Sequence, residues 1–287
     1  MSTQFTTAFT RQFMSGVTML AQQKGSRLAG AVRNEMLSSA DRAAFDQISA
    51  TAAVKLTTRH GDTPQIDTPH ARRWVAPDAY VWADLIDQAD KLRALNDFAN
   101  PYQMNAAAAM GRAMDDAIIT AAFATAVTGQ TGTGSAAFDT AGYQIAATGA
   151  SLTLAKLLSA KEILDAAEND PDMPRYIACA AKQITNMLNT TEVKSSDYNT
   201  VKALAAGQLD TFMGFKFIRT QRLGTASSER RVIAWCRDSL LLGMNENVVS
   251  KIDERPDKNY STQVFVRMDI GATRMDETGV VEILCTE

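Results

Sequence analysis

Apolar residues first recur at three- and four-residue steps: Phe5, Phe9, Phe13, Val17 and Leu20 fall on one face of a helix. Gly16, Gly25 and Gly30 weaken any continuous helix there. Residues 1–48 therefore read as a polar, partly helical arm. Its apolar stripe must dock, either on its own core or on a neighbour. Ser38-Ser39-Ala40-Asp41 offers a cap for a short helix through Phe45 and Ile48. The period then changes. Val54, Leu56 and Thr58 alternate with Lys55, Thr57 and Arg59, which predicts a strand. The turn-rich His60-Gly61-Asp62-Thr63-Pro64 follows, and Arg72-Arg73-Trp74-Val75 and Ala79-Tyr80-Val81-Trp82 return with aromatic and β-branched residues. The stretch reads as a long hairpin with a polar tip, an excursion of the kind that is functional or partner-bound.

Helical spacing resumes at Asp84. A first helix is expected over Asp84 to Leu95, and Asn100-Pro101 marks the start of a second. Met104, Ala107, Ala108, Gly111, Met114, Ile118, Ala122 and Phe123 keep one face of that second helix apolar up to Gly129. Such a helix spans roughly 40 Å, and its small residues, Ala106 to Ala109 and Gly111, let another backbone approach closely. Residues 129–150 read as a loop. Beyond it helices are expected at Leu152 to Glu168, Lys182 to Asn189 and Thr200 to Gln208, with a strand at Arg175 to Ala180. Phe212 to Thr220 and Arg231 to Cys236 read as paired strands around a polar turn. At the C-terminus Val264, Val266, Met268 and Ile270 alternate with polar or outward residues, as do Val281, Ile283 and Cys285. With Val248 to Asp253 as a third strand, the expectation is one three-stranded layer covering the long helix.

Composition narrows the function classes. Of 287 residues, 46% are hydrophobic and 21% charged, enough for one large domain or two smaller ones. The net charge of −3 lacks the basic excess of a protein that clamps nucleic acid by charge. Cys179, Cys236 and Cys285 are odd in number and widely spaced, so neither a disulfide framework nor a zinc site is signalled. No stretch is long and apolar enough to cross a bilayer as a helix, and Met1 to Arg11 lacks the build of a secretory signal.

Catalytic signatures fail on inspection. The cluster Gly129-Gln130-Thr131-Gly132-Thr133-Gly134-Ser135 lacks the lysine of a phosphate loop, and Ala137 stands where a dinucleotide fingerprint needs its last glycine. The two histidines, His60 and His70, have no carboxylate or cysteine cluster beside them. Asp115 and Asp116, adjacent on the long helix, point in different directions. Asp84, Asp87 and Asp90 suit the dipole at the start of a helix. No catalytic, metal or cofactor site is expected.

The order of these pieces resembles the Hong Kong 97-type fold of tailed-bacteriophage major capsid proteins. The resemblance is carried by Arg72-Arg73-Trp74-Val75 through Tyr80-Val81-Trp82-Ala83-Asp84-Leu85-Ile86-Asp87, by Gly111-Arg112-Ala113-Met114-Asp115-Asp116, and by Gln263-Val264-Phe265-Val266-Arg267-Met268 with Gly271-Ala272-Thr273-Arg274. It implies an α+β chain with an N-terminal arm (1–48) and an extended β-hairpin loop (49–83). A peripheral domain with a long spine helix would take 84–147 and 237–287, and a central axial domain 148–236. Some relatives join subunits through Lys–Asn bonds. Lys55, the only lysine of the loop, sits away from its tip, so no such cross-link is expected.

The function this implies is a shell subunit, not an enzyme, that self-assembles through pentamers and hexamers around double-stranded DNA. The implied partners are further copies of itself, a scaffolding protein, a portal and a decoration protein, with the DNA held without sequence-specific contacts and no membrane involved. The implied location is the virion capsid, assembled in the bacterial host cytoplasm. Phe5, Phe9 and Phe13 would anchor the arm on a neighbour. Arg59, Arg72 and Arg73 would pair with a neighbour's acids, for which Asp84, Asp87 and Asp90 are the expected recipients. An encapsulin-like compartment, a cytoplasmic α/β enzyme and a helical partner-binding module remain open alternatives.

Overall fold

Long-range strand pairing overrides several of the local signals. The structure, a computed structural model, describes residues 22–37, 41–59, 61–86, 99–167, 169–189, 211–226, 228–245 and 249–287. The expected helix over Thr200 to Gln208 and the stripe from Phe5 to Leu20 lie outside the described residues. In chain order the first strands are β1 (Arg33–Met36), β2 (Ala43–Ile48), β3 (His70–Val75), β4 (Asp78–Ile86), β5 (Ala126–Thr128), β6 (Gly134–Ala136) and β7 (Gln144–Ile145). Then come β8 (Arg175–Cys179), β9 (Thr211–Phe212), β10 (Phe215–Arg219), β11 (Thr225–Ala226) and β12 (Glu229–Cys236). The last are β13 (Leu240–Met244), β14 (Val249–Arg255), β15 (Ser261–Arg274) and β16 (Val280–Thr286). The helices are α1 (Ala99–Phe123), α2 (Thr140–Tyr143), α3 (Leu154–Ala166) and α4 (Ala181–Asn189).

Three sheets result. In the first, the 14-residue β15 is flanked by β13 and β14, β1 adds parallel to β13, and β4 pairs antiparallel to β15 from Asp78 to Ile86. The second runs β7-β16-β12-β8-β10-β9, with β11 on β12. The third runs β2-β3-β5-β6. The helix α1 packs on β15. Val264, Val266, Met268 and Ile270 alternate inward and are buried, as the period-two pattern demands. Pro101 sits in the first turn of α1, where its missing N–H costs no helical hydrogen bond.

Four expectations are corrected. Ala43–Ile48 does not form the expected helix but a strand, because Ala43, Phe45 and Gln47 turn inward opposite β3; the expected cap at Ser38 to Ala40 lies outside the described residues. Phe45 packs with Leu37, Val75, Leu241 and Met275. Among the described residues no strand pairs with Val54 to Thr58, and the loop hairpin is built by β2 and β3. Phe212–Thr220 and Arg231–Cys236 are not neighbours, because β8 lies between β10 and β12 and pairs with both. Finally, β16 leaves the layer over α1 and enters the second sheet beside β12. Its alternation fixed which residues face inward but left the choice of partner strand open. Residues 129–150 hold β6, α2 and β7 within the expected loop.

A strap before β1 locks onto α1. The buried Asp115 carboxylate accepts from Gln23 Nε2 (2.5 Å), Ser26 Oγ (2.6 Å), Arg27 N (3.0 Å) and Leu28 N (3.0 Å). One turn earlier, Gly111 lies so close under the strap that a Cβ there would sit 2.6 Å from the Gly25 carbonyl carbon. The expected close approach of a backbone to the small residues of α1 is thus met by this chain's own strap. The strap then delivers Leu28, Ala31 and Val32 to the main core, where Trp235 Nε1 donates to the Ala31 carbonyl (2.9 Å). Met104 and Ala107, expected on the buried face of α1, are exposed instead, and Ala106 and Met110 are buried. In the second sheet, Lys156 of α3 donates to the carbonyls of Ala147, Ala150 and Leu284, each at 2.8 Å, and burial lowers its pKa.

Gly111→Ala should cost about 1–3 kcal/mol, because the strap's peptide must move off the helix. Gly30→Ala, whose Cβ would meet nothing within 4 Å, should leave the steric fit intact. Thermal unfolding together with limited proteolysis of residues 22–28 measures both. Equal behaviour of the two variants would contradict the close packing of strap on helix.

Candidate functional site

The part of the chain that leaves the core is the span between β2 and β3. Ser49 N donates to Pro69 O (3.1 Å) and closes its base. Beyond that bond nearly every described residue up to Pro69 is exposed, including Val54 (58%), Leu56 (58%) and Ile66 (46%). Apolar side chains left in water on an open segment are the informative feature here, since a fold seldom leaves several together without a partner.

The base of this hairpin is stiff. Arg72 forks onto Asp46 across the β2–β3 pair, and that hydrogen-bonded guanidinium holds the Asp46 carboxyl below its ordinary range. Arg73 donates to the Met275 carbonyl and to Glu277, each at 3.1 Å. Trp74 Nε1 donates to the Gly129 carbonyl (2.7 Å), and Gly132, at φ +73°, lies against the Trp74 ring. The glycine cluster that superficially suggested a phosphate loop is the turn joining β5 to β6, where positive φ and close ring contact both favour glycine. A cleft of about 590 Å³ lies between this turn and β3, lined by His70, Arg72, Arg73 and Gln130 among others. Its two arginines already hold carboxylates. Among the described residues no cluster of His, Cys, Asp or Glu fits a metal ion.

Arg274, at the end of β15, ties the hairpin region to the long helix. It is fully buried. Its guanidinium donates to the Ala122 and Ala124 carbonyls (2.9 Å each) at the C-terminus of α1 and to Ala136 of β6 (3.1 Å). A cation at this end of a helix meets both the unpaired carbonyls and the negative end of the dipole. Burial lowers its pKa and the neighbouring Glu277 raises it. No local pattern signals this role, since the partners lie about 140 to 150 positions away.

The candidate contact residues divide accordingly. Phe5, Phe9, Phe13, Asp87, Asp90 and His60 lie outside the described residues. Arg72 and Arg73 have partners within their own chain, at the hairpin base. Arg59 is exposed on the excursion. Asp84 is not on a helix. The alternation of Tyr80, Trp82 and Asp84 continues through Ile86, and β4 keeps its pairing to β15 past it, with Asp84 opposite Val264. Asp115 and Asp116 do diverge: Asp115 holds the strap and Asp116 pairs with Arg222.

A fold with an arm strap, a projecting hairpin, a long helix on a sheet and a second α/β layer is now in view. The sequence matches the model of the phage capsid protein family over residues 5–287. The chain belongs to the phage capsid protein family. It is a major capsid protein, a structural component of the virion shell and not an enzyme. No curated protein has a matching sequence. The fold agrees with solved capsids. The capsid of cyanophage P-SCSP1u aligns with a TM-score of 0.74 at 14% identity, covering 96% of this chain and 93% of that one. Mycobacterium phage Che8 gives 0.74 at 13%, covering 96% of each chain. The cyanophage Pam1 capsid gives 0.72 at 16%, covering 98% and 97%. The Hong Kong 97-like fold expected from the sequence is consistent with these neighbours.

Replacing Arg274 by Met should destabilise this capsid subunit by about 3 kcal/mol, because the carbonyls of Ala122, Ala124 and Ala136 lose their buried donor. Arg274→Lys should recover only part of that, since one ammonium lacks the fork that reaches three elements at once. Denaturant unfolding of the soluble subunit reads both. A Met variant as stable as the parent would remove Arg274 from its tying role.

Proposed function

We propose that this subunit closes into pentamers and hexamers and builds an icosahedral shell around double-stranded DNA, joined by non-covalent contacts. The observation that carries the reading is the exposed excursion between β2 and β3, with Val54, Leu56 and Ile66 in solvent above a base fixed by Arg72 and Arg73. A segment of that length on a rigid mount reaches a neighbouring subunit, and many such contacts add through valency. The exposure of Arg59 on the excursion and of Asp84 on β4 supports their part in the proposed inter-subunit contact. Arg72 and Arg73, paired with Asp46 and Glu277 at its base, orient the loop toward the proposed contact. Phe5, Phe9 and Phe13 of the arm, and Asp87 and Asp90, complete the proposed contact set.

The near-neutral balance of the chain, −3 overall, fits a wall that confines DNA without gripping it. The proposed partners are a separate scaffolding protein, a portal and a decoration protein, with assembly in the host cytoplasm.

Overexpression followed by size exclusion and negative-stain microscopy tests the reading: hollow particles are expected. A persistent monomer, even with the neighbouring scaffold gene co-expressed, would contradict it. Deleting residues 1–20 should abolish particles while leaving folded capsomers or monomers. Normal particles from that deletion would remove the arm from the joint.

A further inference from the structure

The end of β16 is closed by a side chain and a turn, not by a strand. β7 pairs with β16 only at Glu282 and Ile283. Past that point the same edge of β16 offers the Leu284 carbonyl and the Thr286 N–H. Thr286 N donates to Ala150 O (3.1 Å), and Leu284 O accepts from Lys156 Nζ (2.8 Å). Lys156 also donates to the carbonyls of Ala147 and Ala150, again at 2.8 Å each. Those two residues bracket a tight turn, closed by Ala150 N on Ala147 O (2.9 Å). Thr148 (φ +49°) and Gly149 (φ +69°) form its corners, both in the left-handed region. A β-branched residue adopts that region only when its surroundings impose it.

Lys156 stands where a helix does not favour it. Thr153 caps α3, so Lys156 falls in the first turn, at the positive end of the dipole. It is 6% exposed, and among the described residues it forms no ion pair with a carboxylate. Burial pushes it toward the neutral form. A neutral amine has only two N–H groups and would leave one of the three carbonyls empty. Three carbonyl oxygens around one ammonium are the surroundings of a bound cation, here attached to the chain by its own stem.

We propose that the carbonyls of Ala147, Ala150 and Leu284 form a monovalent-cation site that the Lys156 ammonium fills from within the chain, and that the filled site holds the turn over the edge of β16 so that no second chain pairs there. Without the charge, three carbonyl dipoles converge on an empty point and the turn swings away. The strain at Thr148 has its reason in the same site, since the left-handed corners aim two carbonyls at one atom. The guarding role follows from what lies beneath. An uncovered strand edge is a template for any passing chain, and a subunit that meets its copies at defined surfaces is harmed by a competing one.

Two variants test it on the free subunit. Lys156→Met keeps the stem and removes the charge. By hydrogen–deuterium exchange the amides of Ala150 and Thr286 should open roughly tenfold faster, while those of 106–122 keep the rate of the parent. Size exclusion should show the variant passing into aggregates that the parent does not form. Unchanged exchange, an equal rise in both segments, or a freed edge without aggregation would each overturn the proposal. Lys156→Ala leaves room for a separate cation. Propylammonium chloride should restore slow exchange at Ala150 and Thr286, and should restore refolding where the variant fails to fold. 1-Propanol lacks the charge and tetramethylammonium chloride lacks the N–H groups, so neither should help. Restoration by either control, or by none of the three, would contradict a cation site.

Discussion

Everything in this subunit hangs on the docking of the strap over α1, where the Asp115 carboxylate gathers donors from Gln23, Ser26, Arg27 and Leu28. A buried carboxylate is costly unless its oxygens are filled. Here two main-chain N–H groups and two side chains fill them, and Gly111 gives the strap room to come close enough. The strap carries Leu28, Ala31 and Val32 into the core and sets β1 beside β13. At the far end of the same helix Arg274 binds the last carbonyls and the β5–β6 arm. One helix of 25 residues, about 37 Å long, is thereby fixed near its middle and at its C-terminus by polar ties, with β15 along its side.

That arrangement separates two kinds of polar residue. Asp115, Lys156 and Arg274 are committed inside, Lys156 and Arg274 to main-chain carbonyls and Asp115 to two main-chain N–H groups and two side chains. Arg72 and Arg73 stand at the border, holding the hairpin base to Asp46 and Glu277. Arg59, Lys55 and Asp84 are left on the surface. A shell subunit needs this division, since a rigid body with open attachments repeats its geometry faithfully, and many modest contacts then sum to a closed particle.

The long helix, the strands β8, β12, β15 and β16, and the small-residue seam at Gly111 were legible in the sequence because each rests on a local period or a local steric fact. The misreadings share one cause. The sequence before Ala43 offered a helix cap, but pairing with β3 makes Ala43–Ile48 a strand. Val281 to Cys285 declared a strand without declaring which sheet it would join. Asp84 read as the start of a helix because its three-residue spacing to Asp87 and Asp90 hid the alternation of Tyr80, Trp82 and Ile86. The pattern at Val54 to Thr58 is the instructive case: as a local signal it is sound, yet among the described residues no strand pairs with it. The family itself was read from extended sequence texture, because a shell protein has no catalytic spacing to find.

The strap, α1 and β15 pack together within one chain, whereas residues 54–59 and the side chains of Val81 and Leu85 on β4 are exposed. Hydrogen–deuterium exchange on free subunits and on assembled shells measures that division directly. The amides of 23–28 and 106–122 should be protected in both states, whereas those of 54–59 and the outward edge of 78–86 should exchange fast in the free subunit and slow sharply in the shell. Protection of 54–59 in the free subunit, or no change there on assembly, would contradict it.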